Sequence, residues 1–371
     1  MNENISYIIK NIISDFEIKN LKETFRNIGI DSIDLIAIRV EIENIFGLAF
    51  LEEEWFSFSS PADIASFLEK KQLIPVFNNR NPKPIFQIKR ATEINLPQMA
   101  NSGLSENWLF KEIGAIHWEG LCSGLKVASS DLVDQFGDRL YATFIAISLT
   151  CNPLIDFKEN QVLAFNGIID RYGDNIYRTR ITGNHNLRAA LLTSFTKRGS
   201  KGNLTLQKSV PSVRENNINE IALPPSLQEY KLLRKNLVEE IMVANRKIRL
   251  SEEQVFGVVH SINPYYEING VGLLYFAAYP TISDIGERAY MNSIRGISKP
   301  EKIYFTIARK VFYFANCDSS DKVIYRLNSF EEEENHVKIQ SSLYRESDGK
   351  KMAKIFTVKE KCIDSFVRKR E

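Results

Sequence analysis

The chain has 371 residues, enough for two or three domains, with an ordinary apolar fraction of 44% and charged fraction of 25%. No apolar run approaches the roughly 18 residues that cross a bilayer as a helix, and no basic segment with an apolar core opens the sequence, so neither a membrane nor a secreted protein is expected. The net charge of +2 hides an asymmetry: residues 1–75 hold 13 acidic and 7 basic residues, a net −6, while the remainder holds 41 basic and 33 acidic, a net +8.

The acidic N-terminal segment carries the clearest pattern. Ile5, Ile8, Ile9, Ile12 and Ile13 recur at helical spacing. A second helix is expected from Asp31-Ser32 through Leu35, Ile38, Val40, Ile42 and Ile45 to Gly47, because Asp and Ser are good helix caps. A third starts at Ser59-Ser60-Pro61-Ala62-Asp63, with proline in the first turn, and runs to about Lys71. An all-α bundle over residues 1–75 follows. The run Gly29-Ile30-Asp31-Ser32-Ile33-Asp34-Leu35 resembles the acyl carrier proteins, whose Asp-Ser serine carries 4'-phosphopantetheine. The resemblance implies attachment at Ser32, where the helix N-terminus would set backbone N–H groups near the phosphate. It also implies a phosphopantetheinyl transferase as partner.

Residues 76–97 include Asn78-Asn79-Arg80-Asn81-Pro82-Lys83-Pro84, polar and proline-bearing, and read as a linker. A tether would hold the carrier near its own body at high effective concentration.

The remaining residues read as one α+β unit used twice, over 98–235 and 236–371. In the first half a helix-like stretch, Leu104–Cys122, precedes strand-like runs at Leu140–Cys151, Gln161–Ile169 and Ile176–Thr182. In the second, Gly272–Tyr290 precedes Lys302–Cys317, Lys322–Leu327 and Val337–Leu343. Leu140–Ile147 and Ile303–Lys310 occupy matching places. The expected fold is a double hot dog, antiparallel sheets wrapped around long central helices. The four cysteines, Cys122, Cys151, Cys317 and Cys362, are scattered, and they read as reduced thiols of a cytoplasmic protein without a metal site. No Lys/Arg stripe interleaved with aromatics invites nucleic acid.

Chemistry-bearing motifs are few. There is no Gly-x-Ser-x-Gly elbow, and none of His117, His185, His260 or His336 is followed by the glycine and proline of the dehydratase motif. His117, beside Trp118, is a candidate to line a site, though such a histidine is more often packed. Asn269-Gly270-Val271-Gly272 is expected to feed a central helix whose N–H groups would polarise a thioester carbonyl, with Asn269 as an added donor. A plain turn before a buried helix would use the same residues. Tyr141 opens a strand after Asp134-Gln135-Phe136-Gly137-Asp138, with Arg139 expected on its face.

Three segments carry a second resemblance: Ser105–Gly114 with Trp118, the Tyr141 strand, and Asn269–Ala277. On these, residues 98–371 resemble the double hot-dog acyltransferase/decarboxylase family of the leinamycin pathway. The family's Thr-Tyr-Leu-Ala-Phe run stands here as Leu140-Tyr141-Ala142-Thr143-Phe144, so the flanking residues differ. The resemblance implies that Tyr141 takes an acyl group from methylmalonyl-CoA, or malonyl-CoA, passes it to a carrier thiol, and that the group loses CO2. It implies donors at Asn269 and Gly270, a coenzyme A thioester as substrate, and downstream polyketide synthase or branching enzymes as partners. A homodimer stays open. Two rivals remain: a hot-dog thioesterase or dehydratase using Asp284 or Glu287 as base, and a non-catalytic scaffold that only docks carriers.

Overall fold

The computed structural model describes residues 21–28, 30, 32–73, 86–200, 202–213 and 217–361. The expected first helix around Ile5–Ile13 and residues 76–85 of the expected linker lie outside them.

Three helices of the N-terminal segment are described: α1 (Ser32–Phe46), α2 (Glu52–Ser57) and α3 (Pro61–Lys70). Ser32 opens α1, as the sequence suggests. Helix α3 begins where Ser59 and Ser60 each donate a backbone N–H to Asp63 Oδ2 at 2.8 Å, which satisfies two of the amides a helix start leaves orphaned. The short helix α2 was not expected. Its Trp55 packs with Phe50, Ile38, Ile42, Ile64 and Leu68 in a small core of this segment.

Helix α1 is apolar on two sides. Ile38, Ile42 and Phe46 face that small core. Ile33, Ala37 and Val40 face the other way and pack with Tyr172, Ile176, Leu192, Leu227 and Tyr230 of the body. A helix apolar nearly all round is one covered on both sides.

The body holds strands β1 (Phe86–Glu93), β2 (Met99–Ala100) and β3 (Gly103–Leu104), helix α4 (Glu106–Gly124), then β4 (Tyr141–Thr150), β5 (Val162–Tyr172), β6 (Ile176–Gly183), β7 (Arg188–Gly199), β8 (Gly202–Lys208) and β9 (Asn219–Glu220). Helix α5 (Pro225–Arg234) and the hairpin β10 (Glu240–Val243) with β11 (Arg246–Arg249) lead to the second half. That half contains β12 (Phe256–Ser261), α6 (Ala278–Ser293), β13 (Tyr304–Tyr313), β14 (Lys322–Glu332), β15 (His336–Arg345) and β16 (Lys351–Lys361).

The main sheet runs β1-β5-β6-β7-β4-β13-β16-β15-β14-β12. Read from either edge to the centre, the two halves have the same order. Each is an antiparallel sheet around one helix, α4 or α6, and they join where β4 pairs β13, with Val311 opposite Ile147. This is the double hot-dog topology. The duplication extends to a bulge. One residue is extra in β4 at Ile145 and one in β13 at Ile307. The bulges equate residue 145 with 307, so the match proposed from sequence, Leu140–Ile147 with Ile303–Lys310, is one residue out of step.

Part of the expected linker is structured. Residues 86–93 form β1 and pair along their length with β5, because Ile88 is buried against α4 and the edge of β5 is otherwise open. Among the described residues, no helix is long and apolar enough to cross a membrane.

Candidate active site between the carrier helix and the sheet

Helix α1 sits on the body through matched charge and close packing. Asp34, almost fully buried, accepts a hydrogen bond from Lys235 Nζ at 2.6 Å and forms an ion pair with Lys231 Nζ at 3.0 Å. Tyr172 donates its hydroxyl to Ala37 O at 3.2 Å. Gly173 has φ +61°, and a Cβ there would meet Val40 Cγ2 at 2.3 Å, so the turn after β5 needs glycine for both conformation and space. The charge asymmetry of the sequence thus has a local counterpart in a buried ion pair.

Beside this contact lies a cavity of about 1230 Å³, whose walls include Ile33, Ile36 and Val40 of α1 together with Tyr141, His117, Asn269 and Gly270 of the body. Tyr141 and the adjacent pair Asn269-Gly270, which follows it by 128 positions, are therefore brought to one cavity.

Strand alternation divides the wall into two faces. Ala142 pairs with Phe195 and Phe144 with Thr193. These face helix α4, since the Phe144 ring lies 5.9 Å from the His117 ring and 4.0 Å from Phe276. Tyr141 pairs with Thr196 and Thr143 with Ser194. They face the opposite side, which at Leu192 packs against the carrier helix. Tyr141 is thus on the carrier side of its sheet.

The cation beside Tyr141 is Arg198, with its guanidinium carbon 5.4 Å from the ring centre. Arg139 precedes the strand, forms an isolated bridge with Val133 and lines the same cavity as Tyr141. The sequence reading named Arg139 and did not foresee Arg198. Arg198 lies two residues beyond Thr196 on the same face of β7, and only strand register reveals it. Arg198 also donates to Val271 O, and Asn203 Nδ2 donates to Gly272 O at 2.6 Å. These bonds tie the Tyr141 wall to the Asn269 loop.

That loop corrects another expectation. Helix α6 starts at Ala278, not at Gly272. Asn269 Oδ1 accepts the N–H groups of Val271 (3.1 Å) and Leu273 (2.9 Å), and Asn269 O accepts that of Gly272 (2.9 Å). The Asn side chain competes with the helix for these amides and holds a turn instead. Gly270–Gly272 therefore supplies no helix-start oxyanion site. The Asn269 amide Nδ2 remains, oriented by the two bonds to its oxygen.

On the helix side, His117 is fully enclosed, with Nδ1 2.7 Å from Thr179 Oγ1 and Nε2 2.8 Å from Thr193 Oγ1. Burial pushes its pKa down to about 3, so the imidazole is neutral. Gly114 in α4 makes room here; a Cβ would lie 2.3 Å from Phe276 Cζ. The Phe276 loop is in turn fixed by Tyr313, which donates to Phe276 O at 3.1 Å.

The equivalent place in the second half is filled with charge. Lys359 stands to β13 as Thr193 stands to β4, and it contacts Glu287 at 2.7 Å and Asp284 at 2.8 Å. Arg309, with no exposed surface, bonds Asp284 at 2.8 Å and also pairs with Glu106. Burial raises the Asp284 pKa, but Arg309 and Lys359 outweigh it and hold it at about 2. Asp284 and Glu287 do not line the cavity.

Residues 9–68 match the family model described as phosphopantetheine attachment site. No curated protein matches the chain in sequence. Among solved structures, an acyl-ACP thioesterase from Bacteroides thetaiotaomicron is similar at 10% identity and TM-score 0.48, over 74% of this chain and 98% of that one. A 12:0-ACP thioesterase from Umbellularia californica is similar at 8% identity and TM-score 0.49, over 75% and 95%. A protein of unknown function with hot dog fold from Alicyclobacillus acidocaldarius follows at 10% identity and TM-score 0.34, over 74% and 93%. The fold assignment rests on the strand order described above. Residues 9–68 thus match a phosphopantetheine-attachment domain, and the body that follows has the hot-dog strand order.

Proposed function

We propose that the chain is an acyltransferase/decarboxylase. It takes a methylmalonyl or malonyl group from coenzyme A, places it on its own carrier, and releases CO2 to leave a propionyl or acetyl thioester. One observation carries this reading: Tyr141 and the carrier helix α1 line the same cavity.

Tyr141 is the nucleophile. Its oxygen bonds to the thioester carbonyl carbon, the C–S bond breaks, and the phenolic proton ends on the departing thiol. A phenol is weakly nucleophilic at its reference pKa of about 10. The Arg198 guanidinium over the ring makes a cation–π contact that holds the phenol in place. Asn269 Nδ2 is the donor that polarises the carbonyl, standing where the turn fixes it. The phosphopantetheine of Ser32, when bound, supplies the mobile thiol that accepts the acyl group.

Decarboxylation breaks the bond between the α-carbon and the carboxylate, and the electron pair becomes an enolate that takes a proton from water. Donors such as Asn269 Nδ2 stabilise the enolate oxygen. The apolar rings of Phe144 and Phe276 favour loss of a charged carboxylate as neutral CO2. The product would serve as a starter or branching unit for polyketide synthesis. Hydrolysis with Asp284 or Glu287 as base is less well supported, since both stand outside the cavity in ion pairs.

Intact mass of the phosphopantetheinylated chain after incubation with methylmalonyl-CoA tests this. A propionyl adduct that Ser32→Ala lacks is expected. A chain that gains no acyl group from either CoA ester would remove the self-loading step.

A further inference from the structure

Two buried polar atoms in the cavity wall lack a partner among the described residues: Asn175 Oδ1 and Thr196 Oγ1. Asn175 is 4% exposed and Thr196 5%. Native proteins leave few such atoms, and each needs an explanation. The orientation of Asn175 is fixed. Its Nδ2 donates to Phe195 O at 3.0 Å and to Ser209 O, which turns Oδ1 away from both carbonyls.

Their positions are informative. Asn175 lies two residues past Gly173, against which Val40 of the carrier helix packs. Thr196 lies directly across the strand pair from Tyr141. The two are close neighbours, because Asn175 bonds Phe195, the residue before Thr196, and together they lie between the Gly173 turn and Tyr141. One is an acceptor only; the other is a hydroxyl that can donate or accept. A flexible chain bearing amide groups at intervals supplies both complements, and the phosphopantetheine arm is such a chain.

We propose that Asn175 and Thr196 form a subsite for the phosphopantetheine arm, Asn175 Oδ1 accepting an amide N–H and Thr196 Oγ1 donating to an amide carbonyl. This rests on the reading of Ser32 as the attachment point. The subsite draws the arm along the sheet face that carries Tyr141 and away from solvent.

The test uses the full chain with and without the prosthetic group, with loading verified by mass. Amide hydrogen exchange of residues 174–178 and 193–198 should slow on loading. Thr196→Val removes only the hydroxyl. Because that group has no partner, the unloaded variant should melt no lower than wild type. In the loaded variant, maleimide should alkylate the arm's thiol about threefold faster than in wild type, the effect of losing one hydrogen bond. Complete loading with unchanged exchange, or alkylation of Thr196→Val at the wild-type rate, would overturn the subsite and leave the attachment reading intact. A chain that gains no mass at Ser32 would overturn the attachment reading itself.

Discussion

Asp34 and Lys231 lie 197 positions apart in sequence, yet their side chains meet at 3.0 Å with almost no exposed surface on either. This pair, with Lys235 on the other carboxylate oxygen, seats the first turns of α1 on α5. Breaking one partner of a buried pair leaves the other charge desolvated, at a cost of roughly 3–5 kcal/mol. Asp34→Ala should therefore release the carrier from the body. Small-angle scattering should record an enlarged radius of gyration, while the body's melting transition remains.

The contact between Val40 and Gly173 allows a direct check of the same pose. A Cβ built on Gly173 lies 3.8 Å from Val40 Cβ, which matches the usual Cβ separation across a disulfide of about 3.8 Å. Val40→Cys with Gly173→Cys should crosslink on mild oxidation, despite about 1 kcal/mol of strain at the positive φ. A mobility shift reversed by reductant is the readout. Single variants should show no shift.

His117 gives a pH signature of stability. Its folded pKa, about 3, lies below the ordinary value of 6.5. The groups facing its ring nitrogens are the hydroxyls of Thr179 and Thr193, which bear no charge. Below pH 6.5 the unfolded chain binds a proton that the folded chain refuses. The stabilising contribution is thus present above pH 6.5 and is lost as pH falls from there toward 3, by roughly 1.4 kcal/mol per unit. Urea unfolding at pH 7 and pH 5 should show this loss, and His117→Gln should flatten it.

Asp284 and Glu287 distinguish the two enzyme readings. Both are paired with Lys359 and with Arg309, Asp284 more closely than Glu287 to the latter. Asp284→Asn and Glu287→Gln should lower stability, because each leaves buried cations short of charge, by about 3 kcal/mol. Acyl transfer from CoA, measured at a temperature where the variants remain folded, should stay within about threefold of wild type, as for a change that leaves the transition-state contacts in place. A loss of catalysis at full folding would move the chemistry to the second half.

Much of the fold was legible because its elements carry clean periodicity. The strand at Tyr141–Thr150 and helix α4 were located within two residues. Strands β7 and β16 escaped notice because nearly every central residue of each is buried, from Ala189 to Thr196 and from Met352 to Lys359. Covered on both faces, they lack the two-residue alternation that marks a half-exposed strand. β1 was hidden by the proline-bearing segment that precedes it. At the site, Tyr141, Asn269 and Gly270 were picked individually and do share a cavity. Arg198 and Thr196 were invisible, since they meet Tyr141 only through the register of β4 on β7. The Asn269 loop was read as a helix start because an Asn-Gly turn and a helix N-terminus draw on the same residues. The side-chain oxygen of Asn269 decides for the turn.

The most direct test of the account is release of labelled CO2 from carboxyl-labelled methylmalonyl-CoA by the loaded chain, comparing wild type with Tyr141→Phe. Tyr141 sits at the end of β4 with Arg198 over its ring, so removing one hydroxyl should cost under about 1 kcal/mol of stability. Wild type should release CO2 and retain a propionyl group, and the folded variant should do neither. Release by Tyr141→Phe at the wild-type rate would contradict transfer through Tyr141.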